Sequence, residues 1–293
     1  MNILTFGINI GSSSIKVVVL ENGNLIHAAV CAHEGDVRNT VSSLLDHPAI
    51  TPGIRVLVTA NNGLQTVNLD GVIEAVAIQE MLHHTNYGCR AVGSLGGEDL
   101  AVFAVNDQGR IVNSFSGNKC ASGTGEFFRQ QLKRMDLELE EGIAQAENAR
   151  VHKISSRCSV FMKSDCTHKL NKGEAVKSDI VLSLSSVMAE KTLEFLKKGR
   201  ISDGKVLLTG GLTRNPHLIG FLTEALPEVT FVIPETALWF EAYGAALLAG
   251  TQGVTLPSID AVFRPDHRSH ETMPPLPDYL GQVHYMPPRR GRI

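Results

Sequence analysis

The chain repeats one arrangement of strands, and this repeat restricts its possible folds more than any other feature of the sequence. In the first copy, ILTFGINI (3–10) and IKVVVL (15–20) flank a Gly-Ser-Ser-Ser loop, and an Asn-Gly turn leads into LIHAAV. The second copy begins roughly ninety residues later, with AVGSLGG (91–97), LAVFAVN (100–106) and, after an Asp-Gln-Gly turn, RIVNSFS (110–116). Each copy predicts a three-stranded antiparallel meander with a glycine loop after its first strand. We therefore expect two similar α/β lobes.

The remaining elements extend this pattern. KVLLTGG (205–211) predicts a buried strand that ends in paired glycines, and VTFVIP (229–234) predicts another strand. Apolar periodicity predicts helices at 71–85, 124–135, 138–147, 176–198 and 239–250. From residue 253 onward the composition changes, because seven of the 12 prolines lie there, and we expect an irregular tail. The predicted division is a first lobe at 1–87, a second at 88–252 and a tail at 253–293.

Composition limits the classes of partner. The formal net charge of −3 gives no reason to expect a nucleic acid. The N-terminal stretch lacks the basic region of a signal peptide, and no apolar run approaches the ~18 residues that span a bilayer. These features predict a cytoplasmic protein with no membrane segment. Its five cysteines are then expected to be reduced thiols, metal ligands or buried residues rather than disulfides.

The glycine loops predict contacts with phosphate. The first loop offers backbone N–H groups from Gly11 onward, three hydroxyls and the positive charge of Lys16. The hydroxyls belong to Ser12, Ser13 and Ser14. A strand follows this loop and no Gly-Lys-Ser/Thr ending is present, so it is neither a Walker loop nor a dinucleotide fingerprint. Taken alone, a plain hairpin turn explains it equally well.

The second and third turns add carboxylates and an amide. Gly96 and Gly97 precede Asp99, which could hold Mg²⁺ through water or orient an attacking water, and Glu98 is the other candidate. At the third turn, Gly210 and Gly211 would let the backbone approach an adenosine, with Asn215 offering its amide. Together, the three turns predict a nucleotide cleft between two lobes.

Two cysteines lie where helices are expected to begin. Cys120 precedes a Gly-Thr-Gly turn and a helix, and Cys158 lies in SSRCSVFMKSD just ahead of another helix. A helix N-terminus favours a thiolate or the sulfurs of an anionic iron–sulfur cluster. Two cysteines do not complete a four-thiolate site, but a two-fold dimer would supply four. A buried small side chain and a nucleophilic thiol remain alternatives. Cys31 and Cys89 are interpreted as structural, and Cys166 as structural or a spare ligand.

The motifs, in order, resemble a known family. They are GINIGSSSIKVVVL, SLGGEDLAVF, GNKCASGTGEFF, SSRCSVFMKSDCTHKLNKG, LLTGGLTRNPHL and AYGAALLAG. The sequence is similar to ATP-dependent activators of 2-hydroxyacyl-CoA dehydratases, whose relatives include ATPase subunits of benzoyl-CoA reductase and reductases of double-cubane cluster proteins. The resemblance covers about residues 3–250, and KCASGTGEFF followed by RCSVFMKSD is its most specific part. The Glu-Asp pair of the second loop and Asn-Lys before Cys120 place the chain nearer the double-cubane type.

The resemblance implies a fold, a redox centre and partners. The fold is of the acetate kinase/Hsp70/actin (ASKHA) type, with two ribonuclease-H-like lobes around ATP and Mg²⁺. A homodimer, or a heterodimer with a sister subunit, would hold one [4Fe–4S] cluster through Cys120 and Cys158 of each chain. Gly123, Thr124 and Gly125 complete the cofactor-binding set and lie between the cluster cysteine and a helix. Ferredoxin or flavodoxin would donate one electron, which passes to an iron–sulfur dehydratase, aryl-CoA reductase or double-cubane protein.

One residue departs from the family pattern. The first loop usually begins Gly-Ile-Asp-Ile-Gly, and here Asn9 replaces an aspartate that helps to place Mg²⁺ and the attacking water. We expect slow but real ATP hydrolysis. Two alternatives remain: a nucleotide-sensing protein that binds ATP without turnover, and a monomeric, iron-free sugar kinase of the same fold with Asp99 as its base.

Overall fold

The computed structural model describes residues 2–60, 66–117, 125–156 and 158–264. The chain as far as Phe263 forms one compact unit. Cys120, Gly123, Thr124 and residues 265–293 of the predicted tail lie outside the described residues.

The first sheet is built around the first meander. Its six strands are β1 (Leu4–Ile10), β2 (Ser14–Glu21), β3 (Asn24–Ala32), β4 (Arg55–Ala60), β5 (Gly71–Val72) and β11 (Val254–Thr255). The order is β11-β4-β1-β2-β3, with β5 paired to β4. β1, β2 and β3 pair antiparallel, as predicted, and β4 runs parallel to β1. β1 and β4 are buried almost throughout, which suits a sheet covered on both faces.

The second sheet repeats this topology. Its five strands are β6 (Ala91–Leu95), β7 (Leu100–Val105), β8 (Ile111–Ser116), β9 (Gly204–Thr209) and β10 (Val229–Val232). The order is β10-β9-β6-β7-β8, in which β6, β7 and β8 are antiparallel and β9 runs parallel to β6. Each sheet is therefore a meander with a parallel strand beside its first strand, and the predicted pair of similar α/β lobes is confirmed.

Helices cover the two sheets. They are α1 (Val37–Leu45), α2 (Glu74–Thr85), α3 (Gly125–Arg134), α4 (Leu139–Gln145), α5 (Ser159–Asn171), α6 (Lys177–Lys198), α7 (Pro216–Ala225), α8 (Phe240–Gln252) and α9 (Ile259–Val262). The five helices predicted from apolar periodicity are confirmed, although the first begins after the short strand β5. In the part of the chain that the structure describes, no helix combines the length and apolarity needed to cross a bilayer.

The last long helix returns to the first lobe. α8 packs on β1, β2, β4 and α2, and β11 then pairs with β4. Glycines permit this approach, because a Cβ at Gly7 would overlap the carbonyl oxygen of Ala242, and one at Gly244 would overlap that of Ala77. The first lobe thus includes segments from both ends of the described chain, whereas the predicted division assigns α8 to the second lobe and β11 to the tail.

Candidate functional site

The Gly-Ser-Ser-Ser loop is a tight connection between β1 and β2. The N–H of Gly11 donates to the carbonyl of Ser14 at 3.0 Å, and a ring nitrogen of His33 lies 3.2 Å from the carbonyl oxygen of Gly11. The N–H of His33 in turn donates to the carbonyl of Ser13 at 3.3 Å. These bonds fix the loop and leave Ser12 exposed at its tip.

The second glycine turn lies directly against this loop. The N–H of Glu98 donates to Ser12 Oγ at 3.0 Å, and a Cβ at Gly97 would overlap Ser13 Oγ. The N–H of Gly96 donates to the carbonyl of Asp99 at 2.9 Å, which closes the turn. The phosphate-binding turns predicted in the two lobes therefore meet, and only glycine fits at position 97 without a shift.

The third turn packs beneath the second. Gly210 has φ of 90°, which favours glycine, and the backbone of Leu95 would be in contact with any Cβ there. The amide of Asn215 is used within the protein: its oxygen accepts from the N–H groups of His217 (3.1 Å) and Leu218 (3.3 Å). Its Nδ2 donates to Ser185 Oγ at 2.8 Å. Asn215 is thus the N-cap of α7, and its contact with adenosine stays a prediction.

Asn9 and Lys16 occupy opposite positions on β1 and β2. Asn9 is 2% exposed, and its Nδ2 donates to the carbonyl of Thr59 at 3.5 Å and to Glu74 Oε1 at 3.4 Å. Lys16 Nζ donates to the carbonyl of Ser14 at 3.4 Å. It lies 2.7 Å from the point that a Cβ at Gly11 would occupy, so the ammonium group faces the start of the first loop.

Two carboxylates that the sequence analysis missed, Glu74 and Glu241, belong to the polar cluster around Asn9 and Lys16. Burial lowers the pKa of Lys16, and the charges of Glu241 and Glu74 oppose that lowering. Burial and, to a smaller extent, the charge of Glu241 raise the pKa of Glu74 to about 7, against the hydrogen bond from Asn9 and the charge of Lys16. Asp99 also raises the pKa of Glu74, which places this predicted catalytic carboxylate within electrostatic range of the cluster.

Glu241 reaches the cluster from the first turn of α8. It is 5% exposed, and its Oε1 accepts from Ser94 Oγ at 3.2 Å and from Thr209 Oγ1 at 3.1 Å. Ser94 and Thr209 lie near the ends of β6 and β9, just before the second and third glycine turns. The one sequence signal for Glu241 is a carboxylate at the start of a helix of small residues.

The second turn is also bonded to a helix start. The N–H of Gly125 donates to the carbonyl of Gly96 at 3.3 Å, and the N–H of Glu126 donates to that of Gly97 at 2.8 Å. Gly125 and Glu126 are the first residues of α3. Cys120, a predicted cluster ligand, precedes this helix by about a turn in the sequence. Gly125 therefore connects the second glycine turn, where phosphate is predicted to bind, to the segment of the sequence that contains Cys120, the predicted cluster ligand.

Cys158 is the N-cap residue of α5, as the sequence predicts. It is half-buried, and the next turn exposes Val160 (67%) and Phe161 (65%). Burial lowers the pKa of Lys191 to about 8, against the charges of Glu194 and Cys158, so the Lys191 ammonium lies within electrostatic range of the sulfur.

The other cysteines differ from Cys158. Cys166, on the same helix, is buried in the core, where burial raises the pKa of its thiol to about 11. This burial supports its interpretation as a structural residue, which stays a prediction. Cys89 is also buried, and Cys31 is half-buried on β3.

These residues fit the groups that the sequence analysis expects. The first loop places serine hydroxyls and the ammonium group of Lys16 where the sequence predicts phosphates, and nearby carboxylates suit hydrated Mg²⁺. A half-buried thiol at a helix N-terminus suits an iron–sulfur ligand. Two lobes of one topology whose glycine turns meet define a nucleotide-binding protein of the ASKHA type.

The comparisons with known proteins agree with that class. The sequence model of the BadF/BadG/BcrA/BcrD ATPase family matches residues 6–249, and the chain belongs to this family. It is 25% identical over 253 residues to the 2-hydroxyisocaproyl-CoA dehydratase activator of Clostridioides difficile, covering 84% of this chain and 94% of that protein. It is 27% identical over 268 residues to the (R)-2-hydroxyglutaryl-CoA dehydratase activating ATPase of Acidaminococcus fermentans, covering 85% and 98%.

The solved structures support the fold. The activator of the 2-hydroxyisocaproyl-CoA dehydratase from Clostridium difficile, with bound ADPNP, superposes with a TM-score of 0.74 at 24% identity. The match covers 85% of this chain and 94% of that one. The predicted ASKHA-type fold is confirmed.

Proposed function

We propose that this chain is an ATP-driven electron donor, which passes a single low-potential electron to an iron–sulfur partner enzyme. The observation that carries this proposal is the bonded path from Ser12 through the second turn to the first residues of α3. Nucleotide in the cleft and a redox centre beside α3 would then be only a few residues apart. A ligand that prefers one arrangement of this path would shift its population, as a switch requires.

The cleft residues have separate roles in binding and hydrolysis. The first two turns would hold the phosphates, Lys16 would attract their charge, and Gly210 and Gly211 would allow close approach of the adenosine. Asp99 and Glu98 are the candidates for placing Mg²⁺ and the attacking water. Because Asn9 is neutral, we expect hydrolysis to be slow but measurable.

The redox centre would be shared between two chains. A [4Fe–4S] cluster supplies one-electron chemistry when bound, and Cys120 and Cys158 of each chain would hold it. Val160 and Phe161 support an interface here, because large apolar side chains exposed together mark a contact surface. A symmetric pair of chains is the simplest assembly that brings four thiolates together, and a sister subunit could replace the second copy.

The partners follow from the relatives. A dehydratase activator and a dehydratase-activating ATPase are among the similar proteins, so an iron–sulfur acceptor enzyme is the proposed partner. A ferredoxin or flavodoxin is the proposed donor, and the cytoplasm the proposed location.

Anaerobic purification tests the proposal. We expect a brown dimer with about four iron and four sulfide per two chains. Cys120→Ser and Cys158→Ser should each abolish iron binding and retain ATP binding, whereas the matched control Cys31→Ser should keep both. Iron-free parent protein, or full iron in both cysteine variants, would overturn the proposal.

A second candidate function is favoured by Asn9 alone. A nucleotide-sensing protein would bind ATP and change conformation without turnover, since Asn9 lacks the charge expected there. Phosphate release by the purified parent, measured against heat-denatured protein, separates the two: release above background removes the sensing function.

A further inference from the structure

The chain that leads to Cys158 is held by side chains rather than by secondary structure. From residue 149 onward, the described residues ahead of Cys158 form neither helix nor strand. Asp179 Oδ1 accepts a hydrogen bond from the N–H of Arg150 at 2.8 Å. Ser183 Oγ accepts one from the N–H of His152, also at 2.8 Å. Both acceptors belong to the first two turns of α6, so α6 fixes the start of this segment.

A third anchor comes from α5, the helix that Cys158 begins. The N–H of Ser155 donates to Asp165 Oδ2 at 2.8 Å. A hydrogen bond to a carboxylate is stronger than one between neutral groups. Ile154, the preceding residue, is buried in the core of the second lobe. The chain is therefore held in place three residues ahead of Cys158.

Cys158 lies between this anchor and the body of its helix. Its backbone is extended (φ −143°, ψ 133°), and its carbonyl accepts from the N–H of Met162 at 2.9 Å. The direction of a side chain follows from the course of its backbone, so a sulfur has a fixed direction when the chain is held on both sides. The helix holds one side of Cys158. Asp165, seven residues further along α5 and so about two turns away, holds the other through Ser155.

We propose that Asp165 is a positioning residue for the redox centre, which fixes the approach of the chain to Cys158 and so the direction of its sulfur toward the cluster. This inference rests on the proposed function. Asp165 acts through the N–H of Ser155 and not by contact with the cluster. A ligand residue whose chain is already held loses less freedom when it binds iron, so the cluster is retained more firmly.

The test compares loss of the acceptor with its conservative replacement. Asp165→Ala removes the acceptor, whereas Asp165→Asn keeps a side-chain oxygen for the N–H of Ser155. We expect anaerobic Asp165→Ala to release iron to a chelator about tenfold faster than the parent, the effect of losing one hydrogen bond to a charged group. The electron paramagnetic resonance signal of its reduced cluster should differ in shape from that of the parent. Asp165→Asn should restore both the rate and the signal. The matched control is Glu224→Ala, which removes an exposed helical carboxylate from α7 and should behave as the parent does.

Iron-free protein gives a second readout. Alkylation of Cys158 by iodoacetamide, followed by peptide mass spectrometry, should be about tenfold faster in Asp165→Ala, because the chain ahead of the thiol opens more often. Cys31 in the same sample is the internal reference, since it is half-buried on β3 in the first lobe. The alkylation rate of Cys31 should stay that of the parent. An equal rise at Cys31 would show a general loosening of the fold and would overturn the positioning role.

The outcomes separate this inference from the proposed function. A parent that holds no iron overturns both. A parent that holds iron, combined with an unchanged rate of iron release or of Cys158 alkylation in Asp165→Ala, overturns the role of Asp165 alone. Failure of Asp165→Asn to restore the parent's rates does the same. If Asp165→Ala does not fold, Asp165→Leu fills the volume of the carboxylate without an acceptor, and the same two rates decide.

Discussion

The backbone N–H of Glu126 donates a 2.8 Å hydrogen bond to the carbonyl oxygen of Gly97. Gly97 is in contact with the Gly-Ser-Ser-Ser loop, and Glu126 is the second residue of α3. This one bond therefore joins the place where the turns of the two lobes meet to the helix that follows Cys120. Small movements of the turns on nucleotide binding would be passed directly to α3.

Glu126→Pro tests this bond. Proline has no N–H, and the first turn of a helix tolerates it because N–H groups there have no partner within the helix. We expect ATP affinity to be retained, and ATP-dependent electron transfer to an acceptor to fall about fivefold, which corresponds to one hydrogen bond of about 1 kcal/mol. Glu126→Ala is the control, since it keeps the N–H and loses only the side-chain bonds to Arg129 and Gln130. Equal rates in the two variants would remove the bond from the coupling path.

Gly97→Ala should separate the two phosphate turns. Its methyl group would overlap Ser13 Oγ and lie 3.0 Å from Ser12 Oγ, so one turn has to move. We expect ATP affinity, measured by isothermal titration, to fall about tenfold, or about 1.4 kcal/mol. Adding Ser13→Ala removes the overlapping oxygen and should restore part of the affinity. Unchanged binding by Gly97→Ala would show that contact between these turns does not matter for the nucleotide.

Gly244→Ala should destabilise the first lobe. The added methyl would overlap the Ala77 carbonyl where α2 and α8 are in close contact. Overpacking at such a site costs about 1–3 kcal/mol, measurable by urea unfolding. Gly220→Ala is the matched control, because nothing lies within 4 Å of its Cβ position and it is exposed within α7. That change should instead stabilise by about 0.8–1 kcal/mol, the usual gain when alanine replaces glycine in a helix.

Cys166 should give stability a dependence on alkaline pH. Burial raises the pKa of its thiol from 9.0 to about 11, so the folded protein keeps the proton that the unfolded chain loses. The stabilisation from this difference is fully present below pH 9.0 and is lost as the pH rises through about 11. Urea unfolding gives the free energy of unfolding of the parent and of Cys166→Ala. The parent's value minus the variant's should therefore decrease between pH 8 and pH 10.5. A constant difference would show that the thiol is not desolvated.

Local signals explain why the lobes could be predicted from the sequence. Residue composition alone identifies three turns without knowledge of the rest of the fold. They are the turn at Asn22-Gly23 and the glycine loops after β1 and β6. The apolar run KVLLT, which forms β9, likewise predicts a buried strand. Cys158 was placed correctly because the residues after it have helical periodicity.

Long-range contacts explain what the sequence analysis missed. Glu74 and Glu241 are lone carboxylates at helix starts, and at such positions a favourable interaction with the helix dipole is the ordinary explanation. Only the fold brings position 241 next to Ser94 and Thr209. Asn215 shows the opposite case. An Asn-Pro pair at a helix start is a capping signal, which the sequence analysis did not use, and the structure shows Asn215 as the cap of α7.

The central claim is that nucleotide in the cleft alters a redox centre held at the starts of α3 and α5. The most direct measurement is the electron paramagnetic resonance spectrum of anaerobic, dithionite-reduced protein with Mg-ADP and with Mg-ATP, alongside Cys158→Ser. We predict a reduced-cluster signal whose shape differs between the two nucleotides in the parent and which is absent from Cys158→Ser. A parent without signal, or with one signal that neither nucleotide changes, would contradict this account.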